Sequence, residues 1–260
     1  MAAGADGVAT RPQVSNRISA TDAPIIVRTK QVLASAPGAI SLAQGIVHWL
    51  PPPAALTAAT ELLQAGGAGL SSYGPAEGLP ALRQALREKI AAKNGLRNHD
   101  VMVTAGANQA FVNAVLALVD EGDAVVLFKP YYFNHLMAVQ MSGGSRSVEF
   151  GECDASSLHP DLAWLEQRLA VQPGTGSPKV RLVVLTNPCN PTGVLMSEAE
   201  VQLAADLCAA AGAWLLLDNT YEDFVYDGRS HTVVDSPHVL HVFSMSKAYG
   251  MMGWRVGYLA

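Results

Sequence analysis

From Val101 to Phe243 the chain alternates between two kinds of segment. Short apolar runs rich in Val, Leu and Phe are followed by longer stretches with helical periodicity. The spacing predicts strands at 101–103, 124–128, 146–150, 180–185, 214–217 and 239–243, and helices at 107–119, 133–141, 161–171 and 197–211. Residues 173–178 read as a loop. Ser197 is placed as an N-cap, and Glu200 completes a capping box with it. The strands are almost unbroken in their apolar character, so both of their faces must be covered. Strands of that kind separated by helices give an α/β fold with a mainly parallel sheet between helical layers.

The part before this rhythm is less regular. Residues 1–22 read as a surface-draped arm. A helix is predicted at 24–34, ended by Pro37-Gly38, then a short strand at 39–43, with Gly45 free to take an unusual backbone turn. Pro51-Pro52-Pro53 breaks the chain and starts a second helix, which runs to residue 65. After the turn-rich Ser71-Ser72-Tyr73-Gly74-Pro75, Leu79 opens an amphipathic helix with Leu82, Leu86 and Ile90 on one face, closed by Asn94-Gly95. The expected organisation is an arm (1–22), an N-terminal segment (23–68) and a large domain (69–260).

Composition excludes several functions. Net charge is -5 with no basic run, which argues against nucleic acid as a partner. No apolar stretch is long enough to span a bilayer. Cys153, Cys189 and Cys208 are odd in number and far apart, which suits a reducing compartment rather than a disulfide framework. The cytoplasm is the expected location, although Arg11, Arg17 and Arg28 among Ser and Thr also fit an organellar transit peptide. His238 and His241 are spaced to share a helix face, but the histidines give no convincing metal motif. Cys189 reads as a small core cysteine. His48 and Trp49 fit either plain packing or a pocket wall.

Parallel sheets place ligands beyond the carboxyl ends of their strands, so the residues after each predicted strand carry the chemistry. Gly106-Ala107-Asn108 opens a helix, where free amides and the positive dipole end suit a phosphate. Tyr131 and Tyr132 follow the next strand, placed to stack on a planar ring. Asn187-Pro188-Cys189-Asn190-Pro191-Thr192-Gly193 holds two Asn-Pro pairs and forms a rigid, non-helical loop. Asp218 ends a buried strand, where a carboxylate needs a partner such as a pyridinium nitrogen, and Tyr221 follows one turn on. Ser244, Ser246 and Lys247 emerge after the last strand, with Arg255 eight residues beyond Lys247. A lysine amine forms Schiff bases with aldehydes, and hydroxyls with an arginine bind phosphate. Aldehyde and phosphate on one small molecule indicate pyridoxal 5'-phosphate. Taken singly, each feature also fits an ordinary role as a βα turn, core packing, a helix cap or a solvated loop.

Taken in order, these motifs resemble the class I/II aminotransferases of the aspartate aminotransferase fold, from about residue 24 to the end. Residues 41–48, 101–113, 130–134 and 218–222 are most similar to a plant branch of aromatic aminotransferases that use methionine as amino donor and aromatic 2-oxo acids as acceptors. Asn219, where many relatives carry Glu, agrees with that branch. The resemblance implies that Lys247 holds the cofactor and moves the substrate proton. It places Asp218 on the ring nitrogen and His135 behind Asp218. Tyr221 and Asn190 would bind the ring hydroxyl, and Tyr132 the ring face. Gly106, Ala107, Asn108, Ser244 and Arg255 would hold the phosphate. Tyr73 would reach the phosphate of a neighbouring subunit, making a homodimer. Gly45 and Asn190 would border the substrate, the Asn190–Pro191 bond would be cis, and no metal is implied.

The same resemblance implies that relatives continue for roughly half as much again beyond Ala260, into the rest of a small domain and an arginine that grips the substrate carboxylate. The sequence therefore reads as C-terminally truncated. Two other readings stay open at this point: a pyridoxal-phosphate C–S lyase or aminocyclopropane-carboxylate synthase-like enzyme, and an inactive cofactor-binding fragment.

Overall fold

The computed structural model describes residues 12–144, 148–171 and 176–260. Half of the predicted arm, residues 146–147 of a predicted strand and half of the 173–178 loop lie outside these residues.

Three helices come first: α1 (Asn16–Ser19), α2 (Ile25–Ala34) and α3 (Pro53–Gln64), none with a buried residue. Proline starts α3, as expected. Residues 39–43, predicted as a strand, form none and are exposed. The run is apolar, but among the described residues no strand pairs with it to take up its hydrogen bonds. Helix α4 (Pro80–Asn94) buries Leu86 and Ile90 and ends on Gly95 in the left-handed conformation, at φ +75°.

A seven-stranded sheet follows, in the order β1-β7-β6-β5-β4-β2-β3. Strands β2 (Ala124–Lys129), β3 (Val148–Glu152), β4 (Val180–Thr186), β5 (Trp214–Asp218) and β6 (Val239–Ser244) are mutually parallel. Helices α5 (Ala107–Leu118) and α6 (Phe133–Val139) cover one face, and α7 (Leu162–Leu169) and α8 (Glu198–Ala211) the other. The strand pleat explains why the runs are unbroken. Val125, Leu127, Leu182, Val184 and Leu216 pack towards α5 and α6, while Val126, Phe128, Val183, Leu185, Leu215 and Leu217 pack towards α8. Ser197 caps α8 in the expected capping box with Glu200.

Two differences from the sequence reading matter. An unpredicted strand, β7 (Gly257–Leu259), lies between β1 (Met102–Thr104) and β6 and pairs antiparallel with both, so β1 runs in the same direction as β2 to β6 but is not hydrogen-bonded to them. The sequence gives no warning of β7, because a three-residue strand opened by glycine carries too little periodicity. His238 and His241 share no helix either: His241 lies buried within β6, donating from Nε2 to the Val234 carbonyl (3.0 Å), and His238 precedes that strand.

Candidate active site

The chain order reverses between β2 and β4, so the carboxyl ends of β2, β4, β5 and β6 open around one crevice. Asp218 is the last residue of β5 and is only 4% exposed. His135 Nε2, on α6, donates to its Oδ2 at 3.1 Å, and the Thr220 amide and hydroxyl donate to Oδ1 at 3.0 and 2.6 Å. Burial alone pushes this carboxyl up, but the His135 and Thr220 hydrogen bonds and the His135 charge outweigh it and hold Asp218 below the usual aspartate range. It is a buried anion. Phe111 stacks on His135 with ring centroids 4.2 Å apart and fixes its orientation.

The Asn-Pro loop follows β4. Its Asn187–Pro188 and Asn190–Pro191 bonds are both cis. Asn187 is fully buried and accepts from the Met196 amide at 2.9 Å, while Gly193 N donates to Cys189 O at 2.7 Å and closes the turn. This rigid loop delivers Asn190, whose Nδ2 lies 3.4 Å from the Tyr221 hydroxyl. Tyr221 is pushed up to about 12 by burial and by the nearby Tyr132 and Asp218, so it is a neutral phenol. Glu222, beside it, is buried against Lys89 of α4, and Asn94 Nδ2 donates to it at 2.7 Å. That anchor was not visible in the sequence, since it joins residues 133 positions apart. Tyr132 caps α6, accepts from Asn134 Nδ2 at 2.8 Å and forms a side wall.

The opposite end of the crevice is built by the unforeseen β7. Pairing Thr104 with Gly257 brings Arg255 against the start of α5. Arg255 Nη1 donates to Met252 O at 2.9 Å and Nη2 to Ala105 O at 3.4 Å. Glycine is required on both sides of this approach. At Gly106 (φ +85°) a Cβ would run into the guanidinium, and at Gly257 it would lie 2.5 Å from the Ala107 amide nitrogen. The amides of Ala107 and Asn108 are in the first turn of α5, with no helical carbonyl ahead of them to accept their protons. Ser244 ends β6, and its Oγ accepts from Ser246 N at 3.0 Å.

Lys247 is half-buried at the rim. Its Nζ donates to Gly45 O at 2.5 Å, and a Cβ built on Gly45 would lie 3.7 Å from that amine and 4.0 Å from the Tyr221 hydroxyl. Burial, then the Arg255 charge, lowers the lysine below its ordinary value and favours the neutral, nucleophilic amine. The crevice wall thus gathers Ala107, Asn108, Tyr132, Asn190, Asp218, Tyr221, Ser244 and Arg255, all chosen from the sequence, with Lys247 and Gly45 at its edge. Ser246, read from the sequence as a second hydroxyl for the phosphate, also lines it, and the structure adds Thr186 and Thr220. The threonines follow the same rule of strand-end placement, which would have found them. Tyr73 is not brought in; it is fully exposed. Cys189 is half-buried beside a separate apolar cavity behind the loop. Among the described residues no cluster of His, Cys, Asp or Glu is suited to a metal.

These residues fit pyridoxal phosphate. One end offers a guanidinium, free amides and a hydroxyl for a phosphate; the other offers a buried carboxylate for a cationic ring nitrogen. A phenol ring flanks the space between, and an amine stands at its edge. The family profile "Aminotransferase class I and II" matches residues 37–260.

The chain belongs to the class I and II aminotransferases.

Members of this family use pyridoxal phosphate as cofactor. The chain is 48% identical over 247 residues to the aromatic aminotransferase ISS1 of Arabidopsis thaliana, an alignment covering 95% of this chain and 61% of that protein. It is 32% identical over 199 residues to an aspartate aminotransferase of Sulfurisphaera tokodaii, covering 74% of this chain and 48% of the relative. Among solved structures, the Thermus thermophilus aspartate aminotransferase with maleate superposes with a TM-score of 0.84 at 29% identity, over 96% of this chain and 64% of that one. The chain therefore spans less than two thirds of the length of these relatives. Among its described residues no helix is long and apolar enough to cross a membrane.

Proposed function

We propose that this chain carries the cofactor-binding part of a pyridoxal-phosphate aminotransferase. The reaction is transfer of an amino group between an amino acid, methionine or an aromatic one, and a 2-oxo acid such as an aromatic pyruvate. The supporting observation is the pairing of a half-buried, pKa-lowered lysine with a buried ionised Asp218 across one crevice. The substrate class rests on the likeness to the Arabidopsis aromatic aminotransferase.

When bound, pyridoxal phosphate supplies an electron sink for the substrate's Cα electrons. The chain's residues do the rest. Lys247 would hold the cofactor through its amine, and the same amine is placed to carry the substrate's Cα proton. Asp218, fixed by His135 and Thr220, stays ionised and keeps a ring nitrogen protonated. Tyr221 and Asn190 would bind the ring hydroxyl, and Tyr132 would cover the ring face. Ala107, Asn108, Ser244 and Arg255 take the phosphate, with Gly106 leaving them room. Gly45 and Asn190 border the substrate. The arm at 1–22, the segment at 23–68 and the domain at 69–260 are the working division of the chain. Tyr73 and the exposed apolar side chains of α2 and α3 suit a homodimer, in which Tyr73 reaches the neighbouring site. The three unpaired cysteines suit the cytoplasm.

The test is the absorbance spectrum of the purified chain with pyridoxal phosphate, before and after methionine and then an aromatic 2-oxo acid. The expected result is a protein-bound visible band that falls on adding methionine and returns with the oxo acid, with the new aromatic amino acid as product. Ammonia with 2-oxobutyrate instead would replace transfer by elimination.

A further inference from the structure

Residues 41–50 have no regular structure and are nearly all exposed, yet they are fixed around the lysine turn. Trp49 Nε1 donates to the carbonyls of Lys247 and Ala248, both at 3.2 Å. Its ring stacks on Phe224, centroids 6.2 Å apart and planes 25° apart, and Phe224 meets Tyr221 edge-on at 5.8 Å. Gly250 closes the other side: at φ +63°, a Cβ there would lie 2.8 Å from Trp49 O and 2.9 Å from the Leu50 carbonyl carbon. The backbone at 49–50 therefore lies directly on the lysine turn. Trp49 belongs to none of the hydrophobic cores and stays 38% exposed, so burial alone does not account for its place. Its indole N–H goes to backbone carbonyls, so the bond does not depend on what the lysine amine is bound to. The Lys247–Gly45 bond does depend on it.

We propose that Trp49 is a positioning residue for Lys247. Its N–H holds the 247–248 turn and its ring holds the Tyr221 turn, and together they keep residues 41–50 as a wall with the Gly45 carbonyl facing the lysine amine. The catalytic consequence rests on the reading of Lys247 as the cofactor-binding lysine; the positioning itself does not.

The test uses the full chain without cofactor. Trp49→Phe keeps a stacked ring and loses the N–H; Phe224→Leu keeps the N–H and loses the stack. Hydrogen exchange is followed in peptides spanning 41–52, with α8 as internal reference. The pH dependence of Lys247 labelling by an amine-specific reagent is read by mass spectrometry. Trp49→Phe is expected to speed exchange in 41–52 roughly fivefold, the loss of one ordinary hydrogen bond. It should also move the Lys247 labelling midpoint upward, because the burial that chiefly lowers this amine is relieved. Arg255 is the charged group that also lowers it and is unchanged in the variant. Phe224→Leu should speed the same peptides. The α8 peptides and the thermal midpoint should stay at wild-type values. Unchanged exchange in 41–52 overturns the proposal. So does faster exchange with an unmoved labelling midpoint, since Trp49 would then only pack the segment. Capture of pyridoxal phosphate on Lys247, measured separately by borohydride trapping, tests the cofactor reading and can fail on its own.

Discussion

Two regions face each other across Lys247, and they are held in place by different physics. On one side, Asp218, Asn190 and Ser244 stand at or just beyond the ends of strands whose side chains are almost wholly buried. On the other, residues 41–50 are reached from helices α2 and α3, which bury nothing within this chain. The sheet residues inherit their positions from hydrophobic packing that would exist whatever the loops contained. The 41–50 stretch is positioned by a few directed contacts to the lysine turn itself. A site assembled this way has one wall set by the core and one wall set by the site.

The comparison can be broken most severely at the lysine. Lys247→Ala should abolish borohydride-trapped cofactor and lower amino transfer by on the order of 10³-fold, about 4 kcal/mol, with the fold intact by circular dichroism. Near-normal turnover in that variant would remove Lys247 from the chemistry.

The core wall is tested next. Leu217 is fully buried one residue before Asp218, and Leu217→Ala should cost about 3 kcal/mol in urea unfolding, with a weakened cofactor band. A loss under about 1 kcal/mol would show that the strand is less constrained than its burial implies.

Asp218 sharpens the contrast through pH. Its folded-state value lies below the ordinary aspartate value, near 3.9. A carboxylate held low contributes stability above that ordinary value and loses it as pH falls through the folded one. Wild-type stability should therefore drop below about pH 4, and Asp218→Asn should flatten that acid limb. An unfolding free energy from urea titrations that falls between pH 5 and pH 3 by the same amount in Asp218→Asn as in the wild type would contradict the assignment.

The smallest effect is expected in the N-terminal region. Leu63 is 74% exposed on α3, and Leu63→Ala should change monomer stability by no more than about 0.5 kcal/mol. If the same substitution shifts a dimer towards monomer in sedimentation, this face is the subunit contact, and the region's order comes from the partner.

Much of this molecule was legible because two simple signals are strong. Apolar runs of strand length separated by helical periods marked β2 to β6 and their helices within a residue or two at most ends. The rule that parallel strands present ligands at their carboxyl ends turned those runs into a short list of residues, and the structure gathers most of them around one crevice. The same rule also covers Thr186 and Thr220, although neither carries a recognisable motif.

What the sequence by itself determined is therefore the parallel sheet, the identity of its strand-end residues and the double Asn-Pro loop, because burial periodicity and proline stereochemistry are local properties. What only the tertiary structure decided depends on pairing between distant segments. The antiparallel β7 sets Arg255 on the start of α5 through Thr104 and Gly257. Lys89 anchors the Tyr221 turn from α4 through Glu222. Trp49 reaches the lysine turn from 198 residues away. No pattern in a window of sequence encodes such contacts, because their geometry comes into being only when the sheet has closed.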